Sequence, residues 1–255
     1  MGNSREYTDL NVSLSDYVAT VEINRPPNNF FSNKLIETIA TVFEDLDADN
    51  DCRSIVLCAA GKNFCAGADF SGEGSGDAGN LYQQAVRLFR TRKPIVGAIQ
   101  GAAIGGGLGL ALMPDFRVAC EESRFSANFS RLGFHPGFGL SVTLPDLVGK
   151  NAANLMFYTG RRVKGVEAVS LGLADELVPQ EKLRERAIEI AREIAISAPL
   201  AVQSIRATQR VGLADRIALA TDHELAEQTR LRQTADFKEG IKAMSERREP
   251  NFSGK

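Results

Sequence analysis

The sequence predicts an α/β fold made of stacked ββα turns and followed by a helical C-terminal region. Short apolar runs typical of buried strands recur in the first half of the chain, at residues 18–23, 54–59, 94–99 and 116–119. Glycine-rich turns and segments with helical spacing alternate with these runs. Beyond residue 197 the strand pattern stops and helical spacing continues. This alternation favours strands and helices packed in layers around one core.

The boundaries of the first strand and the first helix are the clearest. Residues 18–23 are rich in β-branched side chains and end before Arg25-Pro26-Pro27, where proline closes the strand. Residues 35–46 carry apolar side chains at helical spacing, and Ser32 is suited to cap that helix. Further helical spacing covers residues 82–89, 108–113, 145–174 (with turns near Gly160 and Gly172), 181–196 and, almost without a break, 200–242.

The end of the strand pattern predicts two regions. Residues 1–197 are expected to form the core that holds the ligand site, and residues 198–255 to form a helical region for oligomerisation. The glycine-rich residues 61–79 are expected to be a long functional or mobile loop. The polar residues 247–255 are expected to be loose.

Charge and cysteine content limit the classes of function. The chain has 255 residues, of which 30 are basic and 32 acidic, so its formal charge of -2 gives no chain-wide field for nucleic acid. The four cysteines form no CxxC pair, and the apolar sequence around Cys58 and Cys120 predicts that both lie in the protein core. Four thiols without a pairing pattern are typical of a protein in the reducing cytoplasm. No apolar run approaches a membrane span, and residues 1–14 lack the apolar core of a signal peptide. We therefore expect a soluble cytoplasmic protein.

Two glycine-rich segments each follow a strand, at residues 64–70 and 101–109. Glycine lets the backbone approach a ligand closely, and a helix that begins at Gly106 or Gly107 has unpaired N–H groups in its first turn. Two such amides from separate segments can converge on one oxygen and stabilise its developing negative charge. Alternatively, each segment forms only a tight turn.

The two segments belong to a longer set of landmarks. In chain order these are Ile23-Asn24-Arg25-Pro26, Phe64 to Asp69, Lys93-Pro94, Gly101 to Gly107, Leu132-Gly133 with Pro136-Gly137, Tyr158-Thr159-Gly160, and Glu239-Gly240 with Glu246-Arg247-Arg248. With this order and spacing, the chain resembles the crotonase (enoyl-CoA hydratase/isomerase) superfamily over nearly its whole length. The resemblance implies a crotonase-like spiral of ββα units, an acyl-CoA substrate, and trimers that often pair into hexamers. It implies no metal or redox cofactor, since coenzyme A is part of the substrate.

The resemblance also assigns roles to particular residues. The backbone amides of Ala68 and Gly106 form an oxyanion hole for the thioester oxygen, with Gly105 next to the second donor. Ala66, Asp69 and Phe70 belong to the segment that holds the adenine and pantetheine parts of coenzyme A. Basic side chains near the CoA phosphates correspond to Arg25 and Arg247; as surface arginines, both could instead be simply solvated.

Three positions depart from the family pattern. Family hydratases use two glutamates, and their positions here hold Gly109 and Phe129. Some isomerases and dehalogenases use an acid at the position of Gly137 instead. Since neither glycine nor phenylalanine can transfer a proton, hydration by the two-glutamate route is disfavoured. Phe129 also predicts a drier acyl pocket than that of a hydratase.

Few side chains are candidates for the missing proton transfer. His135 has a suitable pKa for acid–base catalysis, although a loop histidine held by one hydrogen bond is the simpler interpretation. Asn128 and Ser130 could orient water or a polar acyl group. Asp69 is a turn or cap residue on the simpler interpretation, and His223 is solvated or at a subunit contact.

Three functions are compatible with these residues to different degrees. The first is an enzyme that stabilises a thioester enolate without the hydratase glutamates, and the second is a non-catalytic acyl-CoA-binding paralogue. The third, nucleic-acid binding, is disfavoured because no basic strip with interleaved aromatic residues is present. The GxGxxG string at residues 74–79 follows a polar loop rather than a strand, which argues against a dinucleotide site.

Overall fold

A computed structural model describes residues 5–68 and 78–255. Within these residues the strands are β1 (Arg5–Tyr7), β2 (Leu10–Ser15), β3 (Val18–Ile23), β4 (Ser54–Ala59), β5 (Ile95–Ile99), β6 (Ala102–Ile104), β7 (Phe116–Ala119), β8 (Arg124–Ser126), β9 (Val163–Lys164) and β10 (Glu176–Leu177). The α-helices are α1 (Asn33–Ala48), α2 (Ala78–Phe89), α3 (Gly106–Leu112), α4 (Leu140–Thr159), α5 (Gly165–Ser170), α6 (Leu183–Ala195), α7 (Pro199–Gln209), α8 (Leu213–Leu231) and α9 (Ala235–Ser245).

The strands form one large sheet and one small sheet. In the seven-stranded sheet the order is β1-β2-β3-β4-β5-β7-β10, antiparallel from β1 to β3 and parallel from β3 onward. The small sheet has the order β6-β8-β9. Strands β4 and β5 are buried along their whole length, as expected for parallel strands covered on both faces. These strands and helices confirm the predicted α/β fold.

Helices cover both faces of the large sheet. Ile55 and Leu57 of β4 join the apolar cluster that contains α1, whereas Val56 joins a second cluster with Ala187 and Ala191 of α6. This division follows from the alternation of side chains along a strand. Each face of the sheet is therefore sealed by the apolar side of a helix.

The first helix begins where its sequence predicts. Ser32 accepts a hydrogen bond from the Leu35 N–H at 3.2 Å, which satisfies one of the unpaired donors of the first turn. Such a cap contributes about 1 kcal/mol to stability. The buried positions of α1, which include Ile36, Ile39 and Phe43, recur at three- and four-residue intervals.

The C-terminal helices fold back onto the core. Residues 200–242, predicted as an almost unbroken helix, are divided into α7, α8 and α9, and Gly212 takes a φ of 73° at the first break. Helix α8 packs against α2 and α4. This packing brings the C-terminal region of the chain to the site described below.

The predicted loose tail is instead held in place. Lys255 accepts a hydrogen bond at its backbone oxygen from the Ala235 N–H at 2.7 Å. The Asp236 carboxylate accepts the backbone N–H groups of Ser253 and Gly254 at 2.7 and 2.9 Å. These backbone contacts fix the tail at the start of α9, so the expectation of a loose tail is wrong. Among the described residues, no helix is long and apolar enough to cross a membrane.

Candidate active site

The two glycine-rich segments lie side by side. Cys65 donates its N–H to Ala102 O at 2.9 Å, and Ile104 donates its N–H to Cys65 O at 3.1 Å. A further bridge pairs Phe31 with Ala68. Residues 31, 65–68 and 102–104 therefore run together as short extended segments.

Close backbone contact explains why glycine is required here. Gly67 has a φ of 94°, and a Cβ added to it would lie 2.8 Å from Ile104 O. A Cβ added to Gly107 would overlap Cys65 O and lie 2.9 Å from Cys65 Sγ. Any larger residue at either position would push the two segments apart.

Two backbone amides in these segments have no acceptor among the residues that the structure describes. Gly106 is the first residue of α3, so its N–H has no partner within the helix. The neighbouring Gly105 N–H is satisfied by Ser126 O at 2.9 Å. Among the described residues, neither the Gly106 N–H nor the Ala68 N–H is bonded, and both residues line the same cavity. One cavity wall thus carries two available backbone donors.

The cavity has a volume of about 510 Å³ and walls that are mainly apolar. Phe129 and Phe134 stack with their ring centroids 6.4 Å apart, and Phe31 and Phe138 lie 5.9 Å apart. All four rings line the cavity. None of the described residues that line it is a carboxylate.

Aromatic side chains fill the space that carboxylates would occupy at positions 109 and 137. A Cβ on Gly109 would lie 2.7 Å from Phe138 Cβ and 2.8 Å from its Cδ1. A Cβ on Gly137 would overlap the Tyr82 hydroxyl. The remaining position holds the Phe129 ring itself, which is 7% exposed. All three departures from the family pattern thus border on aromatic side chains.

Residues 14–255 match the enoyl-CoA hydratase/isomerase model. The chain belongs to this family. Similar proteins include the 1,2-epoxyphenylacetyl-CoA isomerase of Escherichia coli, which is 30% identical over 250 residues, or 93% of this chain and 95% of that one. The short-chain-enoyl-CoA hydratase of Clostridium acetobutylicum is 34% identical over 188 residues, covering 69% of this chain and 71% of that one.

Solved structures agree with this assignment. An enoyl-CoA hydratase/isomerase from Pseudoalteromonas atlantica superposes with a TM-score of 0.88 at 30% identity, covering 96% of this chain and all of that one. An enoyl-CoA hydratase from Mycobacterium avium subsp. paratuberculosis gives a TM-score of 0.85 at 27% identity, with 96% and 98% covered. The resemblance and the crotonase-like fold predicted from sequence are both confirmed.

Within this family fold, the residues predicted to bind CoA are differently placed. Ala66 and Gly105 line the cavity, whereas Asp69 and Phe70 lie outside the described residues, as does most of the string at residues 74–79. Arg25 pairs with Asp9 at 3.1 Å and donates to Phe30 O at 2.5 Å. These contacts connect the Arg25 side chain to its own loop and to the turn between β1 and β2. Arg247 is exposed, just beyond the end of α9.

His135 is not among the described residues that line the cavity. Its Nδ1 lies 2.8 Å from Pro136 O, and its ring meets that of His223 edge to face at 5.8 Å. These contacts match the simpler sequence interpretation of a histidine held in a loop. The acid–base role of His135 stays a prediction.

Polar groups that the sequence pattern did not indicate approach the cavity from helices α2 and α8. The Tyr82 hydroxyl donates to Gln228 Oε1 at 2.7 Å, and burial raises the pKa of this phenol above its ordinary value. Tyr82 therefore stays protonated at neutral pH. Arg162, Arg232 and Ser245 also line the cavity, as does Asn128, a candidate already named from the sequence. Tyr82 lies in the apolar stripe of its helix, so the sequence pattern alone predicts a core residue.

A buried carboxylate holds the backbone next to Phe138, which lines the cavity. Glu224 of α8 is fully buried and accepts hydrogen bonds from the Gly139 N–H at 2.8 Å, the Ser141 N–H at 3.0 Å and the Ser141 hydroxyl at 2.5 Å. It thereby caps α4 directly after Phe138. Burial raises the pKa of Glu224, while these hydrogen bonds oppose the shift. In the described ranges, no group of three or more His, Cys, Asp or Glu side chains could hold a metal ion.

Proposed function

We propose that this protein is an enzyme that binds an acyl-CoA thioester and stabilises its enolate with the backbone amides of Ala68 and Gly106. The observation that carries the proposal is the pair of unbonded amides in one apolar cavity wall. An acyl thioester suits this cavity because its chain is apolar and its carbonyl oxygen is the acceptor that the amides lack. Family membership favours the same substrate class.

The chemical contribution of the amides is to polarise the carbonyl. Negative charge moves onto the thioester oxygen as a bond at the α- or β-carbon is made or broken. Fixed donors that already point at that oxygen stabilise the charge without reorganising. Removing one such donor costs about 3–4 kcal/mol in the reaction barrier.

Proton transfer must differ from that of a two-glutamate hydratase. Positions 109 and 129 hold Gly109 and Phe129, and the space beside Gly109 is filled by Phe138. The reaction classes that remain are isomerisation, decarboxylation, C–C bond hydrolysis, or hydration with another base. The isomerase among the relatives is an example of a family member named for chemistry other than hydration.

The C-terminal helices serve assembly in this proposal. Helix α7 and its flanks leave large apolar side chains in solvent, with Ile196 85%, Leu200 80% and Val211 83% exposed. Burial of such a surface against other copies would be favourable. We infer a homotrimer or hexamer, in which α8 and α9 complete the cavity of their own chain through Gln228, Arg232 and Met244.

The alternative is a non-catalytic protein that binds acyl-CoA. The filled space at positions 109 and 137 favours it, because the route used by family hydratases and isomerases is closed there. Turnover separates the two functions, since only the enzyme converts a bound thioester.

The test combines crotonyl-CoA with a panel of branched, dienoyl and β-keto thioesters. Binding is measured by calorimetry, and a two-glutamate hydratase is the positive control. Conversion is measured by loss of the enoyl-thioester absorbance and by chromatography coupled to mass spectrometry, which separates isomers of equal mass. We expect crotonyl-CoA to bind without rapid hydration and at least one panel member to be converted. Rapid hydration of crotonyl-CoA would contradict our interpretation of Gly109 and Phe129. Binding without conversion of any member would support the non-catalytic alternative.

A matched pair of variants assigns the conversion to the amides. Proline at position 106 removes the N–H and is tolerated at the first position of a helix, but any Cβ there overlaps the Phe31 ring. Phe31→Ala is therefore the control and Phe31→Ala/Gly106→Pro the test. We expect kcat/KM to fall by about 100- to 1,000-fold between the two. An equal kcat/KM in both would contradict the oxyanion hole.

A further inference from the structure

Asn63 lies where three segments of the candidate site meet. Its side-chain Oδ1 accepts a hydrogen bond at 3.0 Å from the N–H of Ala102, the first residue of β6. Its Nδ2 donates to the side-chain oxygen of Asn28 at 3.2 Å, and its backbone oxygen accepts from the Asn29 side chain at 2.7 Å. This one residue therefore bonds both to the loop before α1 and to the start of β6.

The partners of Asn63 fix the orientation of its amide. A backbone N–H can only donate, so the Asn63 oxygen must face Ala102 and its nitrogen must face Asn28. Gly101 makes room for this arrangement, because a Cβ added to it would lie 2.8 Å from Asn63 Oδ1. Gly101 also has a φ of 56°, which favours glycine. The turn before β6 and the Asn63 side chain are thus fitted to each other.

The Asn63 side chain continues the pairing between the two glycine-rich segments. The Cys65 N–H bonded to Ala102 O, and the Ile104 N–H bonded to Cys65 O, are successive bonds of a parallel pair. In that pattern the preceding bond would run from the Ala102 N–H to the backbone oxygen of residue 63. Asn29 occupies this backbone oxygen, and the side-chain Oδ1 accepts the Ala102 N–H in its place.

The loop before α1 holds the peptide that presents the Ala68 amide. Ala66 donates its N–H to Asn28 O at 3.0 Å, and Phe31 donates its N–H to Gly67 O at 3.0 Å. The Gly67 oxygen and the Ala68 N–H belong to the same planar peptide group. A shift of this loop would therefore turn the Ala68 N–H.

We propose that Asn63 is a positioning residue that sets the separation of the Ala68 and Gly106 amides. On one side it holds Asn28, whose loop orients the Ala68 peptide, and on the other it holds Ala102, whose strand leads to Gly106. Asn63 is not among the described residues that line the cavity, so it acts through these neighbours. The inference rests on the proposed function and names the side chain that keeps the two donors in register.

The experiment measures the infrared carbonyl band of bound butyryl-CoA, labelled with carbon-13 at the thioester, and kcat/KM for a thioester that the protein converts. Asn63→Ala removes both side-chain bonds. We expect the band of the bound ligand to move toward its position in free butyryl-CoA, because the two donors no longer point at one oxygen. We expect kcat/KM to fall by about 10- to 100-fold, the effect of a misplacement of about 1 Å.

Ser54→Ala is the matched control. The Ser54 hydroxyl is buried and donates to Ala191 O at 2.7 Å, at the start of β4, whereas Asn63 follows the end of that strand. This variant also loses a hydrogen bond from a side chain to the backbone, so its stability to urea should fall. Its carbonyl band and kcat/KM should stay at the wild-type values.

Asn28→Ala provides a milder variant, because it removes the bond to Asn63 Nδ2 and leaves the bond to Ala102. We expect a smaller displacement of the band than in Asn63→Ala. The double variant should match Asn63→Ala alone, since the Asn28 side chain acts through Asn63. Displacements that add in the double variant would overturn this connection. If Asn63→Ala does not fold, an unchanged band in Asn28→Ala would overturn the proposal.

The remaining outcomes separate the positioning role from the proposed function. A band in Asn63→Ala that equals that of wild type would overturn the role of Asn63 alone. An equal displacement in Asn63→Ala and Ser54→Ala would also overturn it, because any loss of stability would then have the same effect. If wild type binds butyryl-CoA without shifting its carbonyl band, the proposed function fails together with the positioning role.

Discussion

The two walls of the cavity differ in what they are made of. The wall formed by Ala68 and Gly106 presents backbone amides, whose position depends on glycines that allow two segments to touch. Other members of the family donate and abstract protons with side chains at the positions that correspond to 109, 129 and 137. Here the backbone wall keeps its donors, while Phe138 and Tyr82 occupy the space beside two of those three positions.

The difference shows why one half of a site can persist while the other changes. A backbone donor survives any substitution that leaves the chain path intact, and close packing fixes that path. A side-chain acid is lost by one substitution, and the space it leaves is filled by a neighbour. Under the proposed function, carbonyl activation and proton transfer are therefore separable within one fold.

The filled wall can be tested by its packing at Gly109. Gly109→Ala places a Cβ 2.7 Å from Phe138 Cβ, and we expect it to lower the free energy of unfolding by about 1–3 kcal/mol. Phe138→Gly removes both the Cβ and the ring, and it also suits the φ of 64° at that residue. In that background Gly109→Ala should stabilise by about 0.5–1 kcal/mol, because alanine is the better helix former. Urea denaturation of the four proteins measures this change of sign.

An equal cost of Gly109→Ala in both backgrounds would mean that Phe138 does not fill the space beside the helix. The interpretation of position 109 as closed to a carboxylate would then be wrong. The cycle is informative even if Phe138→Gly is itself strongly destabilising, since only the difference between backgrounds is compared.

A smaller effect concerns the carboxylate behind this wall. Burial raises the pKa of Glu224 in the folded state, so its contribution to stability is fully present below the pKa of an unfolded glutamate. That contribution is lost as the pH rises through the folded pKa. We expect the stability advantage of wild type over Glu224→Gln to shrink as the pH rises from the pKa of an unfolded glutamate through the raised pKa of the folded state.

Glu227 is the control for this pH dependence. It lies on the same helix, and its hydrogen bond to Arg230 lowers its pKa despite an opposing desolvation effect. The advantage of wild type over Glu227→Gln should therefore grow as the pH rises through the folded pKa. If the stability difference between wild type and variant changed with pH in the same direction for both variants, the raised pKa of Glu224 would be contradicted.

Much of the core was predictable because its signals are local. The bounds of β3, β4 and β7 agree with the apolar runs in the sequence, and Ser32 caps α1 as expected. Strands β6, β8, β9 and β10 have only two or three residues, and their pairing depends on the packed core rather than on their own pattern. The order of the C-terminal tail was not predicted for the same reason, since its hydrogen bonds go to the distant start of α9.

The site divides in the same way. The glycine segments are visible in the sequence because close contact leaves glycine as the only choice. The Tyr82–Gln228 pair joins residues 146 positions apart, and Glu224 reaches Gly139 across 85 positions. Neither pair has a local signal, so only the folded chain shows that these side chains meet.

The most direct test of amide activation is the infrared carbonyl band of bound butyryl-CoA, isolated by carbon-13 labelling of the thioester. We expect the band to lie at lower frequency than in free butyryl-CoA when bound to wild type or Phe31→Ala, because two backbone donors polarise the carbonyl. In Phe31→Ala/Gly106→Pro it should move back toward the free position, since one donor is removed. A band that is unshifted on binding, or equally shifted with and without the Gly106 N–H, would contradict the role of these amides.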